Sequence, residues 1–135
     1  MEGKMGEKAS KYKYSFVGHS HDGISCADLR DYPAMVYIKE DGTLLTDDMY
    51  CLVWDFLDGT GIGYVLTLDE GTKEHDGSYK FINKNGELSR GFKNIWNITK
   101  ENGATVEDGE GNYKIIPIKE VQAMFGKTAS KDRNL

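Results

Sequence analysis

Apolar and polar positions alternate along much of this chain, which predicts a series of short β-strands. Residues 11–17 alternate aromatic with polar side chains, which is the period of a strand with one buried face. Runs that are rich in β-branched and aromatic residues predict further strands. These runs occupy residues 35–39, 62–68, 78–82, 94–99, 105–106 and 113–116.

Turn signals between these runs predict antiparallel hairpins. Asp41-Gly42 follows the run at residues 35–39, and an Asp-Gly pair favours the two positive φ angles of a type I′ turn. Asn85-Gly86 marks a second hairpin. The pattern Gly-x-Tyr-x-Phe-Ile-x-x-x-Gly at residues 77–86 resembles one unit of short β-hairpin arrays. Because it occurs once, we expect no tandem repeat.

Residues 46–58 fit two different structures. Thr46 is a suitable helix cap, and from Met49 onward apolar residues follow at the i, i+3, i+4 and i+7 spacing of one helical face. The aromatic and β-branched side chains of residues 50–54 favour a strand instead. We predict the helix and keep the strand as the alternative.

Two further short helices are predicted. Ser25 and Asp28 have the spacing of a capping box, so a helical turn is expected before Pro33. Pro117 suits the first position of a helix whose apolar residues share one face and which ends at Gly126. With the strands, this gives an α+β fold. It is mainly antiparallel sheet, as a rolled sheet or small barrel, with two or three short helices including one near the C-terminus.

The chain length of 135 residues fits one domain. We expect a flexible N-terminal arm at residues 1–10, a globular domain at residues 11–126 and a polar tail at residues 127–135. No stretch approaches the about 20 apolar residues that cross a bilayer, and the chain begins with polar residues. Together with two cysteines, Cys26 and Cys51, these features predict a cytoplasmic protein with reduced thiols.

The charge balance narrows the choice of partner. The chain has 17 basic and 22 acidic side chains and a formal net charge of −5. A negative field repels phosphate backbones, so nucleic acid is an unfavourable partner. A basic protein is the partner that this charge favours.

A histidine-rich loop is the most suggestive candidate for chemistry. His19, His21 and Asp22 lie close together between glycines, and imidazole suits zinc, nickel or iron. The loop resembles the His-x-His-x-Asp-His motif of metallo-hydrolases. Gly23 and Ile24, however, stand where that motif has its aspartate and third histidine. We therefore expect a polar surface turn and no cofactor, with a metal site as the competing hypothesis.

Two glycine-containing loops lack complete binding motifs. Residues 59–63 carry glycines at a spacing of two, whereas a dinucleotide fingerprint needs Gly-x-Gly-x-x-Gly between a strand and a helix. Residues 107–112 carry acidic side chains without the glycine and the final glutamate of an EF-hand loop. We interpret both segments as turns.

Aromatic richness and the absence of a catalytic motif determine the predicted function. Exposed Tyr and Trp are the usual anchors of interfaces, and Tyr50, Trp54, Tyr64 and Trp96 are our candidate partner- or ligand-binding residues. We predict a small acidic binding protein that acts without catalysis, such as an inhibitor, an immunity protein or a phage-type accessory protein. Self-association is a further option. The alternatives are a nucleotide-like small-molecule binding module and, less favoured, a metal-dependent hydrolase that uses His19 and His21.

Overall fold

The fold consists of three antiparallel sheets in series. The computed structural model describes residues 12–69 and 74–125, so the predicted arm and tail at residues 1–10 and 127–135 lie outside it. Each sheet has three strands. The strands are β1 (Tyr14–Val17), β2 (Ile24–Leu29) and β3 (Met35–Lys39) in sheet 1, β4 (Leu52–Val53), β5 (Ile62–Asp69) and β6 (Glu74–Asn83) in sheet 2, and β7 (Asn94–Thr99), β8 (Gly103–Glu107) and β9 (Tyr113–Ile116) in sheet 3.

Strands that follow each other in the chain pair with each other, so every sheet is a meander. The predicted antiparallel architecture is therefore confirmed, whereas the three sheets do not close into a barrel. Isolated bridges extend the pairing beyond the named strands, because Met35 pairs with Tyr50 and Tyr79 pairs with Phe92. After β3 and again after β6, the chain therefore pairs once more with the strand it has just left, before the next sheet begins.

The buried core lies at the junctions between the sheets. One cluster joins sheets 1 and 2, and it includes Cys26 and Tyr37 on one side with Phe56 and Val65 on the other. A second cluster joins sheets 2 and 3 and includes the C-terminal helix; its buried members are Ile62, Tyr64, Phe81, Phe92, Ile95, Ala104, Val106, Ile116, Val121 and Phe125. The alternation of side chains along each strand supplies these buried positions.

Among the described residues, the same hairpin turn occurs three times. In the turns at residues 39–43, 83–87 and 108–112, the amide of the first residue donates to the carbonyl of the fifth. The amide of the fourth residue donates back to the carbonyl of the first. That fourth residue is a glycine with a φ of 83–90° in each turn, at Gly42, Gly86 and Gly111.

The predicted type I′ turn at Asp41-Gly42 is wrong. A type I′ turn needs positive φ at both central residues, but Asp22 and Asn97 are the only described non-glycine residues with positive φ. The hairpin instead has a three-residue loop with a glycine at the left-handed position. The type I′ geometry occurs at Asp22-Gly23, with φ angles of 56° and 82°. Backbone bonds in both directions between His21 and Ile24 close this turn.

The helix predicted at residues 46–58 is wrong, and the alternative strand is confirmed at β4 (Leu52–Val53). The amides of Cys51 and Trp54 donate to the carbonyls of Leu66 and Tyr64 on β5. Pairing across the sheet therefore takes the backbone groups that a helix would use internally. Tertiary pairing outweighs a helical periodicity that rests on only two turns.

The helical turn predicted after Ser25 is also wrong, because Ser25 and Asp28 both lie in β2. Their spacing of three matched a capping box, but their backbones pair with Ile38 and Met35 on β3. The C-terminal helix is confirmed at residues 118–125 and is named α1. Helix α1 is the one α-helix among the described residues, so the prediction of two or three helices is wrong.

Helix α1 begins after Pro117 and buries the apolar face that its sequence predicts. Val121 and Phe125 are 0 % and 4 % exposed and belong to the core cluster of sheets 2 and 3. Within the described part of the chain, no helix has the length and apolar character that crossing a bilayer requires.

Candidate functional site

The four aromatic residues named from the sequence have different environments. Tyr50 and Tyr64 are only 2 % and 8 % exposed, so they belong to the core. Trp54 is half-buried and stacks on Tyr64, with ring centroids 4.6 Å apart and 10° between the planes. Trp96 is half-buried on β7. Of the four, Trp96 is the one whose surroundings form an open surface.

The outer face of sheet 3 carries an exposed apolar cluster around Trp96. Strand register places Trp96 beside Thr105 on β8, and Thr105 beside Ile115 on β9. Tyr113 lies two residues before Ile115 and therefore shares its face. The rings of Trp96 and Tyr113 meet edge to face, with centroids 5.4 Å apart. We call Trp96, Tyr113 and Ile115 the aromatic face.

Exposure distinguishes the aromatic face from the opposite side of the same sheet. Tyr113 and Ile115 are 64 % and 58 % exposed, whereas Ile95 and Val106 on the inner side are 2 % and 0 % exposed. Both sides of the sheet therefore carry large apolar side chains, although only one side packs against the rest of the described chain. Exposed apolar clusters of this kind mark interaction sites on proteins.

Two backbone features accompany the aromatic face. Asn97 has a φ of 53°, and the pairing of β7 with β8 shifts register between Trp96 and Thr99. Such a bulge changes the direction in which neighbouring side chains project. Strand β9 is an edge of sheet 3, so one row of its backbone donors and acceptors has no neighbouring strand within residues 12–69 and 74–125. The position thus offers apolar side chains and backbone hydrogen-bonding groups together.

Tyr113 and Ile115 were missed by the sequence analysis, although their strand was predicted. The β-branched and aromatic side chains of residues 113–116 indicated a strand, but they could not show that β9 lies at an edge. The exposure of a strand depends on which strands lie beside it. The one sequence signal was the absence of a strand-forming segment after Ile116, where Pro117 begins a helix.

The histidine-rich loop forms a polar cluster with the turn at residues 57–61. The Nδ1 atom of His21 lies 3.0 Å from a carboxylate oxygen of Asp58, and its Nε2 atom lies 3.5 Å from a carboxylate oxygen of Asp55. The hydrogen bond to Asp58 and the charges of Asp55, Asp58 and Asp22 outweigh desolvation, and they raise the pKa of His21. The imidazole therefore joins two segments of the chain.

Asp22 binds the same turn through its side chain. Its carboxylate accepts the backbone amides of Gly59 at 2.8 Å and Gly61 at 2.7 Å. Desolvation opposes ionisation of Asp22, but these two hydrogen bonds, together with the amide of Thr60 and the charge of Lys84, outweigh it and lower the pKa of the carboxyl group. The anion that the amides of the glycine-rich segment 59–63 bind is thus the carboxylate of Asp22 in the same chain.

Cys26 and Asp55 extend this cluster into the interior. The thiol of Cys26 donates to Asp55 at 3.3 Å. Burial first, and then the neighbouring carboxylates of Asp55 and Asp28, raise the pKa of Cys26 far above its usual range. The thiolate that a nucleophile or a metal ligand requires is therefore disfavoured. Cys26 and Cys51 are both free.

The geometry brings together only part of the predicted metal set. His21 and Asp22 meet the turn at residues 57–61, whereas His19 is exposed and takes no part in these hydrogen bonds. Within residues 12–69 and 74–125, no group of three or more His, Cys, Asp or Glu side chains is arranged to hold a metal ion. A metal at His19, His21 and Asp22 stays a prediction.

The acidic loop at residues 107–112 is a hairpin turn, as its sequence indicated. The carboxylate of Asp108 accepts the amides of Glu110 at 2.9 Å and Asn112 at 3.1 Å. These hydrogen bonds hold the pKa of Asp108 below its usual value.

Comparison with known proteins finds no relative, because no protein-family model, curated protein or solved structure matches this chain.

Proposed function

We propose that this protein is a small acidic binding protein that acts without catalysis and binds a partner protein through its aromatic face. The observation that carries the proposal is the exposed cluster of Trp96, Tyr113 and Ile115 on sheet 3. Large aromatic side chains dominate the energy of interfaces because they bury much area with little loss of side-chain freedom. The role of an inhibitor, an immunity protein or a phage-type accessory protein fits this mode of action.

The net charge of −5 supports a basic partner. Complementary charge accelerates encounter and suppresses wrong partners, although the apolar centre of an interface supplies most of the affinity. The two free cysteines support a cytoplasmic location, where thiols remain reduced. A second copy of this chain is the other occupant that the open edge of β9 could take.

The test compares a variant of the aromatic face with a matched variant elsewhere. Tyr113→Ser/Ile115→Thr removes the exposed apolar area of β9, and Phe16→Ser/Val17→Thr removes similar area from β1, where these residues are 61 % and 48 % exposed. Partners captured by the native protein are identified by mass spectrometry, purified and titrated against each variant.

We expect the β9 variant to weaken binding by about tenfold or more, as substitution of interface anchors does. The β1 variant should bind normally, and added salt should weaken binding to a basic partner. Sedimentation of the native protein alone shows whether the partner is a second copy. Equal effects of the two variants would refute the aromatic face as the binding surface.

A further inference from the structure

An open groove of about 350 Å³ lies where the connection between β2 and β3 meets the beginning of β4. Leu29, Ala34, Met35 and Leu52 are among its lining residues, although Leu29 and Ala34 are buried and polar atoms make up the larger part of the accessible lining. Asp28 is the one charged side chain among the lining residues, and no basic residue lines the groove. The groove therefore combines the apolar side chains of Met35 and Leu52 with polar surface and a single negative charge.

The carboxylate of Asp28 has no partner in the described part of the chain. It forms no hydrogen bond and no salt bridge there, although the side chain is half-buried. The carboxylates of Asp22, Asp41 and Asp108, by contrast, accept backbone amides. Because the groove is open, water solvates this carboxylate in the free protein, and a cationic ligand that replaces the water would gain a charge-assisted hydrogen bond.

Tyr32 adds an aromatic surface to the same groove. Its side chain lines the groove and is 48 % exposed, and its ring meets that of Tyr12 edge to face at 5.8 Å. A carboxylate and an exposed aromatic ring at apolar walls match a cation carried on an apolar stem. A guanidinium group fits best, because its planar fork pairs with a carboxylate and its face stacks on aromatic rings.

We propose that this groove binds an arginine side chain of a partner protein, with the guanidinium group on Asp28. The methylene stem packs against Met35 and Leu52, because long cationic side chains cover apolar surface with their stems. This site rests on the proposed function in one respect, namely the basic character of the partner. It lies between sheet 1 and β4 of sheet 2, and it shares no residue with the aromatic face on sheet 3.

The test uses small probes, so it does not depend on the identity of the partner. N-acetyl-arginine amide is titrated into the isotopically labelled native protein and followed by amide chemical shifts. The control probe is N-acetyl-citrulline amide, which has nearly the same shape without the charge. Asp28→Asn removes the charge within the groove, and Asp31→Asn removes the charge of an exposed neighbour that does not line it.

We expect saturable shifts at residues 28–35 and 51–52 with a millimolar dissociation constant for the arginine probe. Binding should weaken by about tenfold for the citrulline probe and in the Asp28→Asn protein, since a charge-assisted bidentate pair is lost. The Asp31→Asn protein should bind normally. Equal binding of both probes, or shifts confined to residues 94–96 and 113–115, would overturn this groove site and leave the test of the aromatic face unaffected.

Discussion

His21 shows how one side chain can make a contact between two sheets sensitive to pH. Its imidazole lies between Asp55 and Asp58, next to the turn that Asp22 binds. The hydrogen bond to Asp58 is the main cause that raises the pKa of His21 above its ordinary value of about 6.5. The protonated imidazole therefore favours the folded state.

The direction of the pH effect follows from this raised pKa. The stabilisation is fully present below the unfolded pKa of about 6.5, and it is lost as the pH rises through the folded pKa. We expect NMR titration to give His21 a pKa above 6.5 and to show that Asp58→Asn lowers it. Stability should decline more between slightly acidic and slightly alkaline pH in the native protein than in the Asp58→Asn protein.

Asp31→Asn is a suitable control for that titration, because Asp31 is exposed and takes no part in the cluster around His21. This variant should leave the titration of His21 unchanged. A pKa of His21 at or below 6.5 in the native protein, or one that ignores Asp58→Asn, would contradict the pairing.

The sequence could indicate this loop but not what it binds. Glycines on both sides of residues 19–22 correctly predicted a turn. Asp22, however, binds Gly59 and Gly61, which are 37 and 39 residues away in the chain. A carboxylate and a glycine amide carry no pattern that would pair them over such a distance. The metal site was predicted from the local spacing of these residues, because a sequence does not show which distant residues lie beside them in the fold.

At the scale of elements, the repeated hairpin turn provides a comparison within one molecule. Gly86 and Gly111 occupy the same position of the same turn, with φ angles of 83° and 85°. A Cβ atom at Gly86 would lie 2.5 Å from the side chain of Thr46, whereas a Cβ atom at Gly111 would meet nothing within 4 Å. A side chain at either site would therefore strain the backbone equally, but only the side chain at position 86 would be crowded.

We expect Gly111→Ala to lower the free energy of unfolding by about 1–2 kcal/mol, the cost of a side chain in the left-handed region. Gly86→Ala should cost about 1–3 kcal/mol more, because Thr46 is held by Tyr50 and Asp48 and cannot move freely. Urea denaturation of both variants gives the difference. Equal costs would show that the hairpin tip does not press on Thr46.

Two of the three hairpins share a sequence pattern. Tyr37-Ile38 and Phe81-Ile82 precede their turns at an offset of 44 residues, and Leu44 and Leu88 follow at the same offset. Comparison of the chain with itself at this period would have found two of the three hairpins. The third keeps only the turn glycine and a hydrogen-bonding side chain, Asp108, so its similarity lies in backbone geometry.

At the scale of the whole molecule, the three sheets follow one another in the chain, but shared core clusters join each sheet to the next. One cluster spans sheets 1 and 2, and another spans sheets 2 and 3 with helix α1. The sequence predicted most of the strands that supply these residues, because alternation is a local property. It could not predict which face of each strand meets the next sheet, because that depends on how the sheets pack.

Tyr37 is the residue through which the connection of sheets 1 and 2 can be tested. It is 2 % exposed on β3. Its hydroxyl donates to the carbonyl of Trp54 at 2.6 Å and to the carbonyl of Tyr64 at 3.2 Å. Its ring meets Phe56 edge to face at 5.1 Å. Tyr37→Phe keeps the ring and removes only the donor between the sheets.

We expect Tyr37→Phe to lower the free energy of unfolding by about 1–3 kcal/mol, because the part-buried carbonyl of Trp54 loses this donor. Tyr113→Phe is the matched control and should change stability little, since Tyr113 is 64 % exposed. Unfolding in urea is followed by tryptophan fluorescence and by far-ultraviolet circular dichroism. Because the core clusters span the sheet junctions, both signals should change at one midpoint in both proteins. Separate midpoints in the Tyr37→Phe protein would show that sheet 1 unfolds on its own and that this hydroxyl joins two independent units.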